Sequence, residues 1–93
     1  MVRSKPCPIC FGQASVTKIL GQYLYRVDCP NCVRLETRQP TDTLTDALAA
    51  LTPEERRRAS AGARRLALRG ETARFRKGVT EARTDAQALT QLA

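Results

Sequence analysis

The sequence predicts a small α+β protein: a three-stranded antiparallel sheet within residues 1–40, then an α-helical region over residues 41–93. Three observations carry this expectation. Two Cys-Pro-x-Cys units, Cys7-Pro8-Ile9-Cys10 and Cys29-Pro30-Asn31-Cys32, bracket a stretch of β-branched and aromatic residues. The second half is rich in Ala, Arg, Thr, Leu and Glu, a composition that favours helix. Thr52-Pro53-Glu54-Glu55 is a strong helix start, because Thr caps, Pro suits the first helical position and Glu55 completes a capping box.

Taken in order, Ala14 to Leu20 and Tyr23 to Asp28 read as two strands around a turn at Gly21-Gln22. Tyr23, Tyr25 and Val27 alternate with Leu24, Arg26 and Asp28, so one face is apolar and the other mixed. Val33, Leu35 and Thr37 continue the alternation into a third strand, and Pro40, which cannot donate to a ladder, ends the sheet. Thr43 is the expected N-cap of a helix over 44–51. A second helix over 53–69 should stop at Gly70. A third, over 72–92, is drawn by Phe75, Val79, Ala82, Ala86, Leu89 and Ala93, with Gly78 as its weak point. That stripe suits the Ala-rich face of the preceding helix or, alternatively, a second copy of the chain in a homodimer. Leu44, Leu48, Leu51 and Leu66 are expected to bury the Tyr23/Tyr25/Val27 face.

Composition narrows the function. The 93 residues hold 16 Lys+Arg, 9 Asp+Glu, four Cys and no His, for a formal net charge of +7. Without His there is no Ser-His-Asp or Cys-His catalysis and no His-ligated metal. No carboxylate pair stands in a recognisable catalytic context, so a non-enzymatic protein is expected. No uncharged apolar run is long enough to span a membrane. The basic N-terminus leads into no hydrophobic stretch, so no signal peptide is read there and a cytoplasmic location is expected. In that compartment paired cysteines point to metal rather than to disulfides. Thirteen of the apolar residues are Ala, while Leu, Ile, Val and Phe together number 19. A core this thin calls for a staple. The length and the Arg/Ala-rich composition suit a small bacterial or phage protein.

The cysteines supply that staple. Two residues between cysteines let both sulfurs of a unit reach one ion, and a hairpin over the 18 residues from Cys10 to Cys29 returns the second unit beside the first. Cys7, Cys10, Cys29 and Cys32 then complete a tetrahedron of thiolates around one structural Zn²⁺. Here residues 7–38 resemble the zinc-ribbon family. The resemblance implies a three-stranded antiparallel sheet with zinc between two knuckles, and a place among proteins of transcription, replication and mobile elements. That family often has Gly just after the second Cys of a knuckle, where this chain has Phe11 and Val33. Val33 resists a positive φ, so the second knuckle is expected to run straight into its strand. Rubredoxin-like iron is the chemical rival, and four free thiols or two disulfides the bland alternative.

The second feature is charge. Between Pro53 and Gly78 stand nine basic residues against Glu54, Glu55 and Glu71. At about 100° per residue, Arg57, Arg58, Arg64, Arg65 and Arg69 fall on a broad arc opposite Ala59, Ala63, Leu66 and Ala67. Such a field suits the phosphates of DNA or RNA, or an acidic protein surface. It also fits a solvated helix face that does nothing further. Tyr23 and Tyr25, near Lys18 and Arg26, could stack bases but are expected to pack in the core. Two functions stay open: a nucleic-acid-binding regulator, or an adaptor or inhibitor of another protein.

Overall fold

The computed structural model describes residues 2–19 and 21–93. Five strands and three helices follow in the order β1 (Val2–Pro6), β2 (Gln13–Ile19), β3 (Leu24–Cys29), β4 (Val33–Thr37), α1 (Thr41–Ala47), α2 (Pro53–Leu68), β5 (Ala73–Phe75) and α3 (Val79–Thr90). The α+β class stands, but the sheet is a five-stranded mixed one rather than a three-stranded antiparallel ribbon. Its strands lie in sequence order, antiparallel from β1 to β4, with β5 parallel to β4 after the crossover through α1 and α2.

Cross-strand register explains the core. Val16, Val27, Leu35 and Ala73 are directly paired neighbours, so their side chains share one face, and all four are buried. α2 packs on β4 and β5, and α3 packs on β5 and α2. Phe75, Leu44, Leu48 and Ile9 fill the space between. The other face carries the row Thr17, Arg26, Glu36 and Arg74, in which Glu36 and Arg74 lie 3.7 Å apart.

The helix punctuation is the clearest success of the sequence. The Thr52 amide donates to Glu55 Oε1 at 2.9 Å and the Glu55 amide to Thr52 Oγ1 at 3.1 Å, the reciprocal bonds of a capping box. At the other end Gly70 takes φ +76°, and the Gly70 and Glu71 amides reach back to the Ala67 and Leu66 carbonyls. Those two bonds form a Schellman stop.

Four expectations are corrected. The helix expected over 44–51 with Thr43 as cap spans Thr41–Ala47, because Pro40 already sets its entry and the Leu44 amide bonds the Pro40 carbonyl. β1 has no alternation of burial and pairs only at the sheet edge, so no sequence pattern announced it. The helix expected over 72–92 is interrupted: Ala73–Phe75 is a strand, and Gly78 at φ +109° separates it from α3. Tyr23 belongs to the turn before β3 and is 83% exposed, whereas Tyr25 is half-buried against the core. Of the leucines, Leu44 and Leu48 are fully buried while Leu51 and Leu66 are partly so. The end of the first expected strand, Leu20, lies outside the described residues.

The stripe on α3 is used within the chain, where Ala82, Ala86 and Leu89 are buried. The close approach depends on Gly62 of α2, where a Cβ would fall on the Leu89 carbonyl. Backbone cannot yield as a flexible side chain does. Gly62→Ala should therefore destabilise the protein by about 1–3 kcal/mol, the usual cost of overpacking, despite alanine's better helix propensity. A thermal melt checks this; an unchanged or raised Tm would show that the helices can separate freely.

Candidate metal centre

Each Cys-Pro-x-Cys unit forms a tight knuckle. In the first, the Phe11 amide bonds the Cys7 carbonyl at 2.9 Å and the Cys7 amide bonds the Gly12 carbonyl at 2.7 Å. The chain then turns left-handed, with Phe11 at φ +62°, before β2 begins. The second knuckle repeats the step, with Val33 at φ +67°. This overturns the expectation of a straight run into β4. The chain must reverse tightly to aim both sulfurs inward, and that geometry overrides the preference of a β-branched residue.

The β2–β3 hairpin brings the knuckles together, as the spacing required. All four sulfurs lie within 4.8 Å of one another. The pairs from opposite knuckles, Cys7 with Cys32 and Cys10 with Cys29, are 3.7 and 3.5 Å apart. Metal–sulfur bonds of about 2.3 Å in a tetrahedron put sulfurs about 3.8 Å apart, so the cluster matches a four-thiolate site. Disulfides would need sulfurs about 2 Å apart, and all four cysteines are free. Cys7, Cys29 and Cys32 are buried and Cys10 is half-exposed. The four ligands named from the sequence are thus brought together as one group.

Hydrogen bonding and burial shift these thiols in opposite directions. The hydrogen bond with Cys32 holds the Cys7 thiol down at about 5, against the opposing effect of burial. On the other side of the same bond Cys32 is pushed up, by that bond and then by burial, and burial raises Cys29 as well. Metal binding would require the thiols to give up their protons.

Around the sulfurs α2 provides the supporting contacts, which sequence reasoning missed. The Ser60 hydroxyl lies 3.1 Å from Cys32 Sγ. Arg64 donates to the Asn31 carbonyl at 2.8 Å and to Ser60 Oγ at 2.9 Å. Arg56 donates to the Ile9 and Leu48 carbonyls at 3.0 and 2.8 Å, with longer bonds to Pro8 and Ala49. Its guanidinium stands 4.0 Å from the centroid of the Phe11 ring. Five donors in a planar fork make Arg the one side chain able to gather so many carbonyls. The only signal in the sequence was that Arg56 sits one turn into α2, beside Ala59 and Ala63 rather than opposite them.

The five arginines named from the sequence are all exposed, four on α2 and Arg69 at its C-cap, but they do not form one group. At about 100° per residue, Arg57 and Arg64 flank the metal side, while Arg58, Arg65 and Arg69 form a second ridge toward the α3 side. Leu68, 89% exposed, lies between them. Arg57 pairs with Glu54, and Arg64 is held by the second knuckle. Among the described residues no carboxylate pairs with Arg58, Arg65 or Arg69. None of the described helices is long and apolar enough to cross a membrane.

Cys29→Ser should abolish stoichiometric metal binding and unfold the knuckles, because three thiolates leave the tetrahedron open; metal analysis with circular dichroism reads both effects. Retention of a full equivalent of metal would contradict the four-ligand site. Val33→Gly should stabilise the metal-bound protein by about 1 kcal/mol, since a non-glycine residue in left-handed backbone costs about 1–2 kcal/mol. A Val33→Gly protein that melts lower would show that the apolar cover of valine outweighs its strain.

No protein-family model, curated protein or solved structure matches the chain. What the structure supports is a cluster of four cysteines within metal-binding distance.

Proposed function

We propose that the chain is a non-enzymatic, cytoplasmic nucleic-acid-binding regulator in which one structural Zn²⁺ holds the knuckles and α2 offers arginines to the phosphate backbone. The zinc assignment is supported by an all-thiolate tetrahedron with no position left for water, the pattern of a structural rather than a catalytic ion. Iron would fit the same four sulfurs but would colour the protein. A colourless preparation with one zinc per chain is the expected result.

The observation that carries the nucleic-acid reading is the ridge of Arg58, Arg65 and Arg69, exposed and without carboxylate partners among the described residues. From Arg58 to Arg69 the helix rises about 16 Å, enough to meet successive phosphates of one strand. Arg57 and Arg64 are partly committed elsewhere and contribute charge from the neighbouring edge. The adaptor reading keeps one specific support: Leu68 is 89% exposed among these arginines, as a protein-binding anchor would be.

Salt separates the two. Phosphate contacts release condensed counterions, so binding to duplex DNA should fall linearly on log axes, by about 0.9 per contact. Arg58→Ala with Arg65→Ala should weaken binding to all sequences alike and flatten the slope by about two contacts, while Tm changes little because both side chains are exposed. Fluorescence anisotropy of labelled duplex at several salt concentrations provides the measurement. Absence of binding at about 50 mM salt would favour the protein adaptor.

A further inference from the structure

The helices leave one corner of the sheet's inner face open. Arg3 pairs with Val16, Lys5 with Ala14 and Lys18 with Tyr25, so these three cations project from β1 and β2 on the same face as the buried Val16. Alternation reserves that face for the core, and here it carries charge instead. A cavity of about 370 Å³ opens there, lined by Arg3, Lys5, Lys18, Tyr25, Pro40 and Asp42 among others. A second, of about 570 Å³, adjoins it across Tyr25 and Pro40 and is bordered by Tyr23, Arg38 and Lys77. Both lie in the range of ligand sites. The two together make one groove with a half-buried aromatic ring in its middle.

The chemistry of the groove is specific. Five cations line it against one carboxylate, Asp42, which is already held by Lys5 at 2.9 Å. Among the described residues Arg3, Lys18, Arg38 and Lys77 meet no carboxylate. Lys18 Nζ stands 5.9 Å from the Tyr25 ring centroid, a cation beside a π surface. Tyr23 is 83% exposed at the rim. Cations spaced on both sides of tyrosines suit a chain that alternates phosphates with flat bases, and an unpaired strand is the form whose bases are free to stack. A duplex hides those bases.

We propose that this groove binds single-stranded nucleic acid, a base stacking against Tyr25 with Tyr23 at the rim, and phosphates lying on Arg3 and Lys18 at one end and on Arg38 and Lys77 at the other. The site shares its ligand class with the α2 reading but uses none of the same residues. The competing account is structural: charges pointing inward from an edge strand such as β1 discourage pairing with other chains. Under that account the groove binds nothing.

The test uses the full metal-loaded chain. With Tyr23→Phe in place, Tyr25 is the one tyrosine and reports directly on its own ring. Titration with oligothymidylate at about 50 mM salt should quench its emission in step with binding. Arg3→Ala with Lys18→Ala, both on the surface, should weaken that binding about 10-fold or more and flatten the single-strand salt slope by about 1.4. Tyr25→Phe should retain affinity, whereas Tyr25→Ala should lose about 10-fold. Duplex binding by the Arg58→Ala, Arg65→Ala protein tests the α2 reading, and Tyr25 quenching by oligothymidylate tests the groove, so failure of one and failure of the other are distinguishable. Unquenched emission, or affinity indifferent to the Arg3 and Lys18 replacements, would overturn the proposal and leave edge protection as the role of these charges. Competition by duplex at equal concentration would overturn it too.

Discussion

The structure depends on α2 being fastened to both cysteine knuckles at once. Arg56 takes the carbonyls of Pro8 and Ile9 from the first, while Ser60 and Arg64 take Cys32 Sγ and the Asn31 carbonyl from the second. The Pro8, Ile9 and Asn31 carbonyls lie outside the strands and have no ladder to join. Left unsatisfied beside a buried cluster, each would cost about 1–3 kcal/mol. Helix and metal site therefore satisfy each other. The same guanidinium also closes the end of α1 through the Leu48 carbonyl, so three parts of the chain converge on Arg56.

That arrangement shows how a chain with few large apolar residues forms a fold. Cys7, Cys29 and Cys32 are themselves core residues, contiguous with Ile9, Val27 and Leu35. A metal bound by them would act on the core directly, since binding free energy becomes folding free energy when the site exists only in the folded chain. Small residues do the rest. Ala59, Gly62 and Ala63 on α2 meet Ala82, Ala86 and Leu89 on α3, and closeness of the backbones compensates for the lack of bulk. It also leaves little tolerance for added volume at that seam.

What the sequence made legible follows from the range of each signal. The capping box at Thr52 and Glu55 and the stop at Gly70 are local chemistry and were readable residue by residue. The four cysteines were readable because ligand spacing is a geometric demand with few solutions. β1 and β5 were not. Each is an edge strand specified by its partner, and three residues such as Ala73–Phe75 are too few to show a period. The left-handed turn at Val33 was hidden for the opposite reason, because local preference argues against it and the knuckle imposes it. Arg56 was hidden by its company, being identical in type to neighbours that point into solvent.

This division among the arginines bears on the meaning of the net charge. The formal +7 counts thiols as neutral. Four thiolates around a divalent ion carry a formal −2, placed beside Ser60, Arg56 and Arg64. With a metal bound, the guanidiniums of Arg56 and Arg64, which hold the knuckle carbonyls, would offset part of that charge. Two further sets of cations stand apart from the metal centre, the Arg58, Arg65 and Arg69 ridge and the five that line the groove around Tyr25. A field generated by a scattered excess would bind any polyanion weakly. Two ordered sets, one a straight helical ridge and the other interrupted by an aromatic ring, differ in the shape of polyanion they fit. On the readings proposed, the ridge would suit a regular backbone and the groove a strand whose bases are exposed. Discrimination between paired and unpaired nucleic acid would then reside in the placement of like charges rather than in their number.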